Sequence, residues 1–119
     1  MIIQLRQDRD FEQLLERSKT NSVLIFKHST QCPISSQAYE EFTRFATSAG
    51  DVACGVVLVI ENRNLSDTIA ERLEVRHQSP QAIVVKDGRV TWQASHWSIT
   101  TDSLVEALSS YGQPAHQRD

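Results

Sequence analysis

Apolar residues change their period several times along this chain, and each change marks an element. Ile2-Ile3-Gln4-Leu5 reads as a short edge strand. Phe11, Leu14 and Leu15 then recur at helical spacing, with Asp8 or Asp10 as N-cap and an end near Lys19. Ser22-Val23-Leu24-Ile25-Phe26-Lys27 is a continuous apolar run between turn residues, as a strand buried on both faces would be. The polar loop His28-Ser29-Thr30-Gln31 leads to Cys32-Pro33. Proline suits a first helical turn because its missing N–H is not needed there. Ala38, Tyr39, Phe42, Phe45 and Ala46 give that helix an apolar face, and Gly50 is its expected stop.

The second half continues the alternation. Val52 to Ile60 is a valine-rich strand, and Leu65, Ile69 and Leu73 lie four apart on one helix face. Ala82 to Lys86 is a further strand, Asp87-Gly88 is a strong hairpin signal, and Arg89 to Ala94 pairs back. Thr100 or Thr101 caps a last helix carrying Leu104, Val105 and Leu108, with Tyr111 at its end. The order β-α-β-α-β-α-β-β-α predicts an α/β domain with helices on both faces of a sheet that the closing hairpin makes mixed. Residues 1–112 are read as one domain and 113–119, polar and without periodicity, as a flexible tail.

Composition narrows the function. A chain of 119 residues with 39% hydrophobic and 23% charged positions suits one ordinary globular core. A net charge of −3 argues against nucleic-acid and membrane-surface partners, which favour a basic patch. No apolar run is long enough to span a bilayer, and the first residues turn polar too early for a signal peptide. A cytoplasmic location is expected. In a reducing compartment the two cysteines, Cys32 and Cys54, are unlike a structural disulfide, and alone they build no zinc site. Neither a metal nor a bound cofactor is expected, and the cysteine question becomes one of reactivity.

Cys32 sits where a strand and loop feed a helix. The unpaired N–H groups of the first turn and the helix dipole favour negative charge on its sulfur, and the thiolate is the nucleophile of disulfide exchange. Ser35 is placed to aim a hydroxyl at that sulfur, and Lys27 and His28 to add positive potential if they face it. The alternative is an unreactive cysteine at a helix start. Cys54, on an apolar strand, reads as a buried small hydrophobe, with a role as resolving thiol for Cys32 as the other possibility. Pro80 reads as a loop proline at a strand entrance, since only about 5–6% of X–Pro bonds are cis. His77, like His28, is open to a site role or to simple exposure. Trp97 reads as packing or a rim contact, and Glu40-Glu41 as a solvated helix face.

Three blocks carry a resemblance. Residues Ser22 to Tyr111 resemble thioredoxins in element order, in Cys-Pro at a helix start, in Ser79-Pro80 before a strand and in the Lys86-Asp87-Gly88-Arg89 hairpin. More narrowly, Phe26-Lys27-His28-Ser29-Thr30-Gln31-Cys32-Pro33-Ile34-Ser35, His77-Gln78-Ser79-Pro80-Gln81-Ala82 and Ala94-Ser95-His96-Trp97-Ser98-Ile99-Thr100 resemble the monothiol bacilliredoxins. The resemblance implies a thioredoxin-like fold with a central mixed sheet of four to five strands. It implies that Cys32 takes bacillithiol, a low-molecular-weight thiol co-substrate, from S-thiolated client proteins. It further implies that Pro80 is cis and sets the Ser79 backbone beside Cys32, with His77, His96 and Trp97 near the site. Gln31 and Ser35 stand where thioredoxins carry Trp and a second Cys, which argues against dithiol reductase activity. Two rivals to monothiol exchange are a peptide-binding module, with Cys32 at most a sensor, and a dithiol enzyme using Cys54.

Overall fold

The computed structural model describes residues 1–110. Tyr111 and the expected tail lie outside them. Among the described residues five strands and four helices form in the expected order: β1 (Ile2–Gln4), α1 (Asp8–Arg17), β2 (Val23–His28), α2 (Pro33–Ser48), β3 (Cys54–Leu58), α3 (Arg63–Leu73), β4 (Gln81–Lys86), β5 (Arg89–Ser95) and α4 (Thr101–Ser110). The sheet runs β1-β3-β2-β4-β5. β1, β3 and β2 are parallel, whereas β4 and β5 are antiparallel to their neighbours.

Strand alternation divides the core in two. Leu24 and Phe26 of β2 pack with Phe42, Phe45 and Ala46 of α2 and Leu104 and Ala107 of α4. Val23 and Ile25 pack on the other face with Phe11 and Leu14 of α1 and Leu65, Ile69 and Leu73 of α3. The central strand is therefore covered on both sides, which is why its sequence runs apolar without alternation. Gly55 of β3 allows a close approach in this second layer. A Cβ there would lie 2.8 Å from side-chain carbons of both Leu5 and Leu14.

Element ends differ from the sequence reading for local reasons. Gln7, not Asp8 or Asp10, is the N-cap of α1. Asp10 lies one turn in, and its carboxylate accepts the N–H groups of Arg6 and Gln7. α2 stops at Ser48, before Gly50, with Ala49 as its cap. β3 starts later than predicted because Val52 closes a turn on the Ala49 carbonyl, and it ends at Leu58, whose carbonyl accepts the Asn62 N–H of the turn that follows. The hairpin forms as read, with Asp87 at φ 55° and Gly88 at φ 73°, the left-handed pair of a tight type I′ turn.

Candidate active site

β2 ends at His28, and three loop residues separate it from Cys32, the N-cap of α2. Cys32 is half-buried and unbridged. Its N–H donates to the Ser29 carbonyl at 3.3 Å, and its carbonyl accepts the first helical bond from Ser36 at 3.0 Å. Pro33 has no N–H, so the Ile34 and Ser35 amides are the first-turn donors left without a helical acceptor.

Ser35 is fully buried, and its hydroxyl is engaged away from the sulfur. The Ser29 N–H donates to Ser35 Oγ at 2.9 Å, and His28 Nδ1 lies 2.8 Å from the same oxygen. This replaces the expectation that the hydroxyl is aimed at Cys32: Ser35 instead ties the loop before Cys32 to the end of β2. His28 is buried, and its ring stacks on Tyr39 at 4.5 Å between centroids. Burial pushes its pKa down, against the opposing charge of Glu61. It is therefore a neutral hydrogen-bonding group near pH 7 and not the source of positive potential that the sequence suggested.

Lys27 supplies no such potential either. It shares the α1/α3 face of the sheet with Ile25, and there its Nζ meets the Ser66 carbonyl at 3.1 Å and His77 Nδ1 at 3.0 Å.

The Ser79-Pro80 peptide is cis, so the loop-proline reading from residue statistics alone gives way to the resemblance here. Lys27 pairs with Gln81, and the antiparallel register carried one step on sets Pro80 opposite His28. Pro80 thus borders the end of β2 that launches the Cys32 loop. The chain before it is held by Gln81, a buried polar residue whose role the sequence did not signal. Its amide donates to the Arg76 carbonyl at 3.1 Å and to Gln93 at 2.8 Å, and its carbonyl accepts from Gln78 N–H at 3.3 Å. Ser79 Oγ is buried without a partner.

His96 N–H donates to the Pro80 carbonyl at 3.1 Å. His96 adopts a left-handed φ of 56° and turns the chain into a single 3-10 turn, His96–Ser98, packed against α2. Trp97 on that turn is 67% exposed, so it is not a packing residue.

Cys54 lies at the other end of the sheet. It pairs with Leu24, four residues before His28, a separation of about 13 Å along the strand. Burial pushes its thiol up to about 11. A disulfide requires Cα atoms within about 7 Å, so Cys32 and Cys54 cannot be bridged in this fold. Among the described residues no three His, Cys, Asp or Glu side chains converge as a metal site, and no helix is long and apolar enough to cross a membrane.

The family model described as monothiol bacilliredoxin BrxC matches residues 3–104. A solved thioredoxin-fold protein, described as a candidate oxidoreductase, superposes with a TM-score of 0.81 at 38% identity, covering 89% of this chain and 92% of its own. Thioredoxin from Fasciola hepatica gives 0.74 at 17% identity, covering 93% and 99%. The thioredoxin NaTrxh from Nicotiana alata gives 0.75 at 12%, covering 94% and 93%. The two thioredoxins show the fold alone, which is a thioredoxin fold.

Proposed function

The chain belongs to the monothiol bacilliredoxin family and is a thiol–disulfide oxidoreductase, and from that premise we propose that it removes bacillithiol from S-thiolated client proteins through Cys32. The Cys32 thiolate attacks the bacillithiol sulfur of the mixed disulfide. The client leaves as a thiolate that takes up a proton, and bacillithiol is now disulfide-bonded to Cys32. A second bacillithiol thiolate attacks its counterpart there, releasing bacillithiol disulfide and restoring Cys32. Bacillithiol is thus a co-substrate and not a resident cofactor. The cytoplasm, where such a thiol pool is kept reduced, is the proposed location.

One observation carries this reading. Cys32 is half-buried at a helix start, while Ser35 fills the position one turn on and Cys54 is buried about 13 Å along the sheet from the end of β2 that launches the Cys32 loop. No thiol of the described fold can resolve a mixed disulfide on Cys32, so an outside thiol must.

The test is mass spectrometry of the reduced protein after incubation with bacillithiol disulfide, together with turnover of a bacillithiolated client. One bacillithiol adduct on Cys32 is expected. Cys32→Ala should lose adduct and turnover, and Cys54→Val should keep both. A Cys32→Ala variant as active as the parent overturns the reading. An intramolecular Cys32–Cys54 disulfide after mild oxidation favours the dithiol rival, and an unreactive Cys32 favours the binding module.

A further inference from the structure

Lys27 is a charged side chain with no exposed surface, lodged under the loop that leads to Pro80. Its ammonium donates to the Ser66 carbonyl on α3 and to Nδ1 of His77. An ammonium has donors only, so the imidazole nitrogen that faces it must carry a lone pair. The proton of neutral His77 then resides on Nε2. The other charges facing this pair are Asp67 and Arg63 of α3, which are 3.8 Å apart. Burial and the neighbouring ammonium both keep His77 below the ordinary imidazole range, so the ring is neutral near pH 7. Yet His77 itself is exposed and stands three residues before Pro80.

We propose that Lys27 is a positioning residue. By holding His77 as the Nε2–H tautomer, it presents that N–H, from the loop before Pro80, as a donor to an acceptor oxygen of the bound disulfide substrate. The proposal rests on the exchange reaction above. The opposite tautomer would turn a lone pair toward the same oxygen and repel it. The oxygen belongs either to the small thiol or to the client backbone, and the chemistry that recognises it is the same.

A buried ammonium costs stability through desolvation, and an apolar chain of similar length removes that cost. The exposed His77 ring can satisfy Nδ1 with water. Lys27→Met is therefore expected to fold, so its activity can be read. Long-range proton–nitrogen NMR of the histidine rings should show His77 as the Nε2–H tautomer in the parent. In Lys27→Met the two tautomers should mix, with the titration midpoint rising toward about 6.5.

With a bacillithiolated client, His77→Phe, which removes the donor, should raise KM about 3- to 10-fold, the loss of one hydrogen bond. Lys27→Met, which leaves the donor tautomer partly populated, should raise KM by about twofold or less, the reciprocal of that fraction, with alkylation of Cys32 by iodoacetamide unchanged, and the double variant should go no further than His77→Phe. A client thiolated with cysteamine, which lacks acceptor oxygens, identifies the source. Loss of the His77→Phe effect assigns the oxygen to the small thiol, and persistence assigns it to the client.

An unchanged His77 tautomer in Lys27→Met, or a His77→Phe KM within about twofold of the parent, overturns the proposal. The NMR arm needs no turnover. A parent protein inert toward bacillithiolated clients would sink the exchange reading, whereas a parent that turns over with an unchanged tautomer in Lys27→Met would sink only the role of Lys27.

Discussion

Ser35 stands where a resolving cysteine would stand, and its hydroxyl fastens His28 and the Ser29 amide together. Removing the hydroxyl leaves both without that partner inside the protein. Ser35→Ala should therefore cost about 1–3 kcal/mol in urea unfolding. It should also slow exchange at Cys32, because Ser29 anchors the Cys32 N–H. A variant as stable as the parent would show that water replaces the hydroxyl at no cost. Cys32-Pro33 at a helix start and the Ser79-Pro80 block were legible from sequence because their signals are local. The partners of Ser35, Lys27 and His28 were not. A strand covered on both faces has no polar–apolar alternation, so nothing in Phe26-Lys27-His28 tells which side chain faces α2 and which faces α3.

At the scale of elements, the helices that carry the site's face are joined by Glu41. The sequence reading placed this residue on a solvated face, but its carboxylate accepts the Thr101 N–H at 2.6 Å and the Thr101 hydroxyl at 2.7 Å. It caps the first turn of α4 from α2. Thr100 and Ser103 add reciprocal bonds at 3.0 Å, which bears out Thr100 as the local cap.

The Thr101 hydrogen bonds, chiefly the side-chain one, hold the Glu41 pKa below its ordinary 4.5. A lowered carboxylate stabilises the fold above its unfolded pKa, and that contribution is lost as pH falls through the folded value. Glu41→Ala should lower stability by about 1 kcal/mol at pH 7, the typical value of a cap. The gap should close as pH drops below about 4.5. Circular dichroism melts of parent and variant at pH 7 and pH 3 measure both. An equal gap at both values would mean that charge plays no part. Helix existence and order followed from periodicity, whereas this cap joins residues 60 apart and has no sequence signature.

Over the whole molecule, the sheet separates two apolar layers, and the groups that organise the site sit at one end of both. His28 and Ser35 shape that end on the α2 side, and Lys27 reaches it from the α3 side. The cost of burying Lys27 is global because it is felt whenever the domain unfolds. Burial, partly opposed by Asp67, brings Lys27 from 10.5 to about 8. Above pH 8 the folded chain releases this proton while the unfolded chain keeps it until about 10.5. The unfolded state then binds more protons, so this residue makes stability rise with pH across that window. Cys54 acts in the opposite sense. Its thiol is raised from 9.0 to about 11, so the folded chain keeps a proton that the unfolded chain loses. Comparing parent with Lys27→Met cancels Cys54, which both contain. Urea unfolding at pH 7.5, 9 and 10.5 should show the parent gaining on the variant by an amount on the order of 1–3 kcal/mol. A difference that stays flat from pH 7.5 to 10.5 would show that Lys27 keeps its ordinary proton affinity in the fold, and that its ammonium is solvated despite its burial.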